Sequence, residues 1–205
     1  MVAIVDYGMG NLGSIKNMLR KIGAQSIITS DPDEILKAEK LILPGVGSFD
    51  SGIKNLTALG IREALNQRVL KDKIPILGVC LGIQLMTKGS DEGAMEGLGW
   101  FDAKTIKFNI EAVEEKLLLP NIGWRDVQLN KPSKLYNDMH EDPRFYFVHS
   151  YHLLSNKLSD VSMSAHYGYD YAVGLEQDNI LGVQFHPEKS HKFGMKLYEN
   201  FIKYY

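Results

Sequence analysis

One cysteine lies in a segment that has the composition of a nucleophilic turn. Cys80 stands in the sequence Gly-Val-Cys-Leu-Gly at 78–82, directly after the apolar run at 74–79. Glycines on both sides permit the sharp strand-to-helix turn of a nucleophile elbow, which lifts the thiol off the sheet. The start of the following helix would favour a thiolate and would aim backbone N–H groups, beginning with that of Leu81, at a tetrahedral oxyanion. The alternative is a small buried cysteine that only packs.

A histidine and a glutamate could assist such a thiol. His186 and Glu188 flank Pro187, just after the apolar run at 181–184. The proline restricts His186 to an extended conformation, so the side chains at 186 and 188 can project to the same side. Glu188 could then hold the imidazole in the tautomer that a base requires. A His-x-Glu pair is usually solvent-exposed and has no catalytic role. This pair, however, follows the cysteine elbow at a separation along the chain that suits a spatial triad.

Two glycine-rich segments also follow apolar runs. Pro-Gly-Val-Gly at 44–47 comes after the run at 41–43, and its glycines would let a peptide N–H point at a ligand, although a plain tight turn is the alternative. Gly-Met-Gly-Asn-Leu-Gly at 8–13 fits the dinucleotide fingerprint, with Asp31 at about the expected distance. That segment alone predicts an NAD-binding protein. The second half has no helix-rich continuation of a dinucleotide fold, however, and this interpretation leaves Cys80 unexplained.

The pattern of apolar residues predicts the elements that position these groups. In the first half, short β-branched runs alternate with helical patterns, as in βαβ units around a parallel sheet. The predicted strands are 2–5, 26–29, 41–43 and 74–79, and the predicted helices are 14–22, one opened by Asp31-Pro32, and 60–69. From 98 to 183 shorter strands such as 145–148, 162–165 and 181–184 are typical of antiparallel sheet, and a helix near 193–202 closes the chain. We therefore predict an α/β fold in one domain spanning 1–205: a doubly wound, mostly parallel sheet flanked by helices, with an antiparallel extension in the second half.

Composition excludes several classes of function. The 205 residues carry a formal net charge of -2, so neither nucleic acid nor an anionic membrane surface is an expected partner. We find no 18-residue apolar run and no signal-peptide pattern at the N-terminus. A single cysteine excludes an internal disulfide, and the histidines lack metal-ligand spacing. We expect a cytoplasmic enzyme or enzyme subunit that needs no metal or cofactor.

Three segments together resemble the class I (triad) glutamine amidotransferases, over nearly the whole chain. They are Pro-Gly-Val-Gly at 44–47, Gly-Val-Cys-Leu-Gly-Ile-Gln at 78–84 and Phe-His-Pro-Glu-Lys-Ser at 185–190. Within that family, the segments at 6–11, 97–99, 123–124 and 147–151 look like those of the glutaminase subunits of imidazole glycerol phosphate synthases. The resemblance implies the class I glutaminase fold. It assigns Cys80 as nucleophile, His186 as base and Glu188 as the residue that orients the base.

The same resemblance implies the substrate and a partner. L-glutamine would be hydrolysed to glutamate and ammonia, and a (β/α)8-barrel synthase (cyclase) subunit in a heterodimer would take the ammonia through a channel. Val46 and Leu81 match the oxyanion hole. The positions that match the glutamine site are Gly47, Gln84, Glu92, His149, Ser150 and Tyr151. The positions that match the partner interface, with residues 8–11 facing the synthase, include Gly10, Asn11, Trp124, Tyr146 and Lys189.

The chain departs from the family pattern at a few positions outside the triad. The segment 109–116 is longer and more acidic than usual, and Thr-Lys-Gly at 87–89 replaces a Phe-Glu-Ser-like stretch. Asn121 and Arg125 stand where histidine and asparagine are common. These departures keep open a paralogous glutaminase that supplies ammonia to a sugar-modifying, amidino-forming amidotransferase. A free-standing cysteine hydrolase and a non-catalytic binding module also stay open, and the intact triad argues against the binding module.

Overall fold

Parallel strands form one side of the main sheet in a computed structural model, which describes all 205 residues except the side chain of Ala112. They are β1 (Val2–Val5), β2 (Ser26–Thr29), β3 (Lys40–Gly45), β4 (Ile76–Cys80) and β12 (Ile180–Val183), in the order β2-β1-β3-β4-β12. Strands β1, β4 and β12 are buried along their whole length, and β3 is buried except at its first residue. Burial on both faces explains why these strands are almost entirely apolar.

Helices cover both faces of this sheet. The α-helices are α1 (Leu12–Lys21), α2 (Pro32–Lys37), α3 (Phe49–Ala58), α4 (Ile61–Asn66), α5 (Leu81–Leu85) and α6 (His191–Tyr204). The apolar sides of α1 and α6 contribute to one core, and those of α2, α3 and α4 contribute to the core on the opposite face. Helix α2 begins as predicted, because Pro32 occupies its first turn and the Asp31 carboxylate accepts a hydrogen bond from the Asp33 N–H at 2.9 Å.

The second half adds antiparallel strands to β12. These are β11 (Asp170–Gln177), β10 (Val161–His166) and β7 (Gln128–Leu129), with β9 (Tyr151–Ser155) and β5 (Ala103–Lys107) joined through β11. Strands β6 (Asn121–Asp126) and β8 (Arg144–His149) form a separate two-stranded antiparallel sheet. Its register places Asn121 opposite His149 and Trp124 opposite Tyr146.

The structure confirms the predicted fold class and corrects some elements. The predicted helix 60–69 is α-helical only over Ile61–Asn66 and continues as a π-helical turn, Gln67–Lys71. Helix α3 was not predicted, because its sequence contains serine, glycine, asparagine and threonine, which are weak helix formers. Burial of Phe49 and Ile53 stabilises it instead. Among the described residues, no helix is both long enough and apolar enough to cross a bilayer.

Candidate active site

Cys80 occupies a strained turn between β4 and α5. Its backbone angles are φ 54° and ψ -110°, a combination that is costly for a residue with a Cβ. The turn depends on Gly82, because a Cβ at that position would lie 1.8 Å from the carbonyl oxygen of Leu43. Glycine therefore lets α5 pack directly on β3, and the chain makes the sharp turn that the glycines predict.

The parallel register brings three strand ends together around the thiol. Gly45 at the end of β3 lies opposite Cys80, and Val183 at the end of β12 lies opposite Val79. Because carboxyl ends of parallel strands share one edge of a sheet, the residues that follow β12 come beside the cysteine. The first of these is Gln184, which is fully buried.

His186 and Glu188 form a buried pair behind Cys80. The Nδ1 atom of His186 lies 2.7 Å from Oε1 of Glu188, and their side chains are 1% and 2% exposed. His186 is extended as predicted, but Glu188 lies in a short 3-10 turn, Pro187–Lys189, rather than in a continuing extended segment. The turn, rather than strand alternation, therefore brings the carboxylate back to the ring. The His186 N–H also donates to the Tyr146 carbonyl at 2.9 Å, which fixes the backbone.

The electrostatic environment favours a protonated His186. Burial alone would lower the pKa of His186, but the nearby Cys80 sulfur and the hydrogen-bonded Glu188 carboxylate raise it to about 10. His186 is therefore an imidazolium near neutral pH. Among the side chains that the structure describes, none is a hydrogen-bond partner of His186 Nε2. That atom is therefore available for proton transfer to a bound molecule.

A cavity of about 190 Å³ opens in front of the cysteine. All the residues predicted for the oxyanion hole and for glutamine binding line it: Val46, Gly47, Leu81, Gln84, Glu92, His149, Ser150 and Tyr151. Pro120 and Val148, which the sequence analysis did not single out, complete the lining with Cys80. The structure thus collects residues from distant parts of the chain in one small site beside the thiol.

Hydrogen bonds orient the polar groups of this cavity. Gln84 Nε2 donates to the carbonyl of Tyr151 at 3.3 Å and to Oε1 of Gln184 at 3.0 Å, so its own carbonyl oxygen remains an acceptor. Glu92 accepts from the Phe49 N–H at 2.8 Å. An amide oxygen and a carboxylate in the lining of one cavity suit an ammonium group.

His149 is held as a neutral donor in the same cavity. Its Nδ1 lies 2.7 Å from the Tyr151 carbonyl, and burial lowers the pKa of His149 to about 3. The ring is therefore uncharged at neutral pH, with Nδ1 as the donor. Asn121 lies 3.2 Å from Nε2 of the same ring, so the Asn121 amide can donate to it.

The segment at 44–47 passes from the buried end of β3 to the surface. Val46 is 50% exposed, and Gly47 has a φ of +131°. Below the loop, the buried Tyr7 hydroxyl donates to the Pro44 carbonyl at 2.6 Å. Burial and the nearby Cys80 charge raise the pKa of Tyr7, which keeps the phenol neutral. Neither Tyr7 nor Gln184 was predicted, although Gln184 directly follows an apolar run and Tyr7 lies two residues after one.

The residues predicted for a partner interface lie on the surface near the site. The Lys189 ammonium lies 5.6 Å from the centre of the Tyr146 ring, and the Trp124 and Tyr146 ring centres are 6.3 Å apart. Gly10 and Asn11 are exposed on the loop before α1. A Cβ on Gly10 would lie 3.4 Å from the Gly45 Cα atom, so this loop packs against the end of β3.

Comparison with known proteins decides the family. The family model described as glutamine amidotransferase class-I matches residues 3–204. The chain belongs to the class-I glutamine amidotransferase family. This amidotransferase is 53% identical to the imidazole glycerol phosphate synthase subunit HisH 2 of Methanococcus maripaludis, over 99% of both chains. It is 41% identical to the protein of the same name from Pseudomonas aeruginosa, again over 99% of both chains.

Solved structures show the same fold for the amidotransferase chain. A crystal structure of a glutamine amidotransferase superposes with a TM-score of 0.72 at 19% identity, covering 99% of this chain and 98% of the other. The Thermotoga maritima PurLQS structure gives a TM-score of 0.71 at 16% identity, covering 99% and 97%. The family assignment removes the dinucleotide interpretation of residues 8–13. The structure agrees, because the Asp31 carboxylate that this interpretation needs caps α2 instead.

Proposed function

We propose that this chain is the glutaminase subunit of an imidazole glycerol phosphate synthase. It hydrolyses L-glutamine to glutamate and ammonia and forms a heterodimer with a (β/α)8-barrel cyclase. The observation that carries the glutaminase proposal is the convergence of Cys80, the His186–Glu188 pair and the predicted substrate residues at one cavity. The names of full-length relatives support the choice of synthase.

The reaction uses the charged state that the site favours. The Cys80 thiolate attacks the carboxamide carbon of glutamine, and N–H groups of Val46 and Leu81 stabilise the oxyanion. His186 then protonates the departing nitrogen, which leaves as ammonia, and a thioester remains on Cys80. His186 next removes a proton from water, which attacks the thioester and releases glutamate. Glu188 keeps the imidazole oriented through both steps, through its 2.7 Å contact with Nδ1.

The polar lining selects a free amino acid as substrate. The Gln84 carbonyl oxygen and the Glu92 carboxylate accept from the α-ammonium group of glutamine. Backbone N–H groups near Gly47, Ser150 and Tyr151 are suited to its α-carboxylate. A cavity of about 190 Å³ leaves little room for a peptide that continues beyond these groups. This arrangement disfavours a free-standing cysteine hydrolase that acts on larger γ-glutamyl compounds.

The partner has two tasks in this proposal. It receives ammonia directly, because ammonia released into neutral water would be protonated and lose its nucleophilicity. It also activates hydrolysis, because the loop of Gly10 and Asn11 packs against Gly45 and can shift the peptide at Val46. We assign the exposed patch of Trp124, Tyr146 and Lys189 to the same interface, and we place the assembled synthase in the cytoplasm.

The test is glutamate release by the full chain with and without the cyclase. We expect low activity alone and an increase of ~10²-fold or more with the substrate-loaded partner, on the scale of one oxyanion donor. Cys80→Ser should abolish this activity while the complex still uses free ammonia for synthesis. Full turnover without a partner would identify a free-standing hydrolase, and turnover by Cys80→Ser would remove Cys80 as the nucleophile.

One observation favours a second candidate function. Asn121 and Arg125, the departures from the common family pattern, lie on β6 next to Trp124. Asn121 contacts the cavity residue His149, and the Arg125 guanidinium lies 4.9 Å from the centre of the Tyr167 ring. A changed β6 suits a paralogue that feeds ammonia to a sugar-modifying amidotransferase. Reconstitution with each type of partner, measured as glutamine-dependent product, separates the two candidates.

A further inference from the structure

Gln184 is a buried polar side chain to which the proposed glutaminase reaction gives no role. It is fully buried at the end of β12, immediately before Phe185 and His186. Its Nε2 lies 3.8 Å from the Cys80 sulfur, within hydrogen-bonding range for sulfur as an acceptor. A buried amide of this kind is retained only where its polar atoms have partners. The hydrogen-bond partners of the Gln184 amide therefore indicate the role of this side chain.

The hydrogen-bond network fixes which end of the Gln184 amide faces the sulfur. The Tyr151 carbonyl is an acceptor, and it accepts from His149 Nδ1 at 2.7 Å and from Gln84 Nε2 at 3.3 Å. The nitrogen of the Gln84 amide must therefore point in this direction. Its second N–H then donates to Oε1 of Gln184 at 3.0 Å. With its oxygen committed to Gln84, the Gln184 amide can present only its N–H groups to Cys80.

We propose that Gln184 is a positioning residue that holds Cys80 as a thiolate by donating an N–H to its sulfur, in an orientation imposed by Gln84. The proposal rests on the proposed glutaminase function and adds a donor on the strand side of the nucleophile. Gln84 would then have two functions, because its amide oxygen faces the substrate and its amide nitrogen orients the Gln184 donor. Hydrogen bonds to a charged acceptor are about twice as strong as neutral ones, so this donor favours the thiolate over the thiol.

Two other titratable groups lie close enough to Cys80 to interact with a charge on its sulfur. They are the His186 imidazole, which follows β12, and the Tyr7 phenol at the end of β1. Both remain in place when Gln184 is replaced. A change in thiolate population in folded Gln184→Leu, which adds no charge, therefore reports on the amide donor.

The experiment is alkylation of the isolated chain by iodoacetamide across a range of pH. This reagent reacts with thiolate, and Cys80 is the single cysteine of the sequence, so the rate needs neither glutamine nor a partner. Gln184→Glu still accepts from Gln84 but offers the sulfur no amide donor, whereas Gln184→Leu removes both interactions. At about pH 7 we expect the alkylation rate of both variants to be lower than that of wild type by ~10-fold or more. One hydrogen bond to a charged acceptor is worth about that factor. Above about pH 10 the rates should converge, because the thiol is then ionised in every protein.

The outcomes separate a charge effect from an access effect. Gln128→Leu and Gln128→Glu, at an exposed position on β7, are the matched controls and should react like wild type. If folded Gln184→Glu, with an unchanged circular dichroism spectrum, were alkylated at the wild-type rate at about pH 7, the proposal would be overturned. A rate reduced by the same factor at every pH would also overturn it, because Gln184 would then control access rather than charge. Failure of the glutaminase proposal would show separately, as absence of glutamate release by the wild-type complex.

Discussion

Two sides of the cavity beside Cys80 differ in burial and in hydrogen bonding. The β12 side consists of Gln184, His186 and Glu188, whose side chains are almost completely buried and hydrogen-bonded to neighbours. The β3 side consists of the buried strand end at 44–45 and the two residues beyond it, where Val46 is half exposed and Gly47 adopts a positive φ. Both sides begin at the ends of the parallel strands that flank β4, so the difference arises in the residues beyond the ends of β3 and β12.

This difference suggests a division of labour within the site. In the proposed reaction, the β12 side orients the proton carrier before any partner is present, because burial and the Glu188 contact hold the His186 ring in place. The β3 side would supply the oxyanion donor through a peptide flanked by two glycines, which permit more than one orientation. Regulation by a partner is expected to act on the β3 side, because a small shift there changes turnover without disturbing the charged groups.

Substitution of the base on the β12 side should have the largest effect. His186→Asn removes proton transfer and should lower kcat by ~10²–10⁴-fold in the activated complex. Glu188→Gln leaves the imidazole present but poorly oriented, so we expect a smaller loss. Steady-state glutaminase assays measure both. The control is His166→Asn, which changes an exposed His166–Asp170 pair with the same 2.7 Å separation. It should leave glutaminase turnover unchanged. Equal, wild-type-like rates for the two triad variants would remove both residues from the site.

A substitution on the β3 side should separate turnover from nucleophile formation. At Gly47 an added Cβ would lie 2.3 Å from Met9 Cε, and the φ of +131° strains any residue with a side chain. Gly47→Ala should therefore misplace the oxyanion donor and lower glutamine hydrolysis by ~10–10²-fold. Alkylation of Cys80 should stay at the wild-type rate. The control is Gly13→Ala, where a Cβ would meet nothing within 4 Å. If Gly47→Ala slowed alkylation as much as turnover, the two sides would not act independently.

The smallest effect should come from the support beneath the β3 side. Tyr7→Phe removes the 2.6 Å bond to the Pro44 carbonyl and leaves that buried acceptor unpaired, at a cost of about 1–2 kcal/mol in the free energy of unfolding. Tyr136→Phe provides the contrast, because the buried Tyr136 hydroxyl has no partner among the described residues. Its removal should be neutral or stabilising. Urea unfolding of the two variants measures the difference, and equal stabilities would show that the Tyr7 bond does not hold the loop.

Some elements could be predicted from sequence because their causes are local. Strand β1 and the start of α2 match the prediction, since an apolar run and a capped proline act within a few residues. Helix α3 was missed because tertiary burial rather than propensity stabilises it. The His186–Glu188 contact was predicted from strand alternation, whereas the structure achieves it through a 3-10 turn. The predicted contact is present, but the predicted geometry was wrong.

The sequence by itself determined the chemical types of the site and the turn that carries the thiol. Glycines beside Cys80 and a proline between His186 and Glu188 restrict the backbone locally, so their consequences can be read in consecutive residues. Only the tertiary structure decided that Gln184 contacts Cys80 and that Tyr7 supports Pro44, pairs that are 104 and 37 residues apart. These contacts depend on which strands are neighbours and on their register. Apolar parallel strands leave both undetermined, because each is buried on two faces and shows no alternation that would fix its partner.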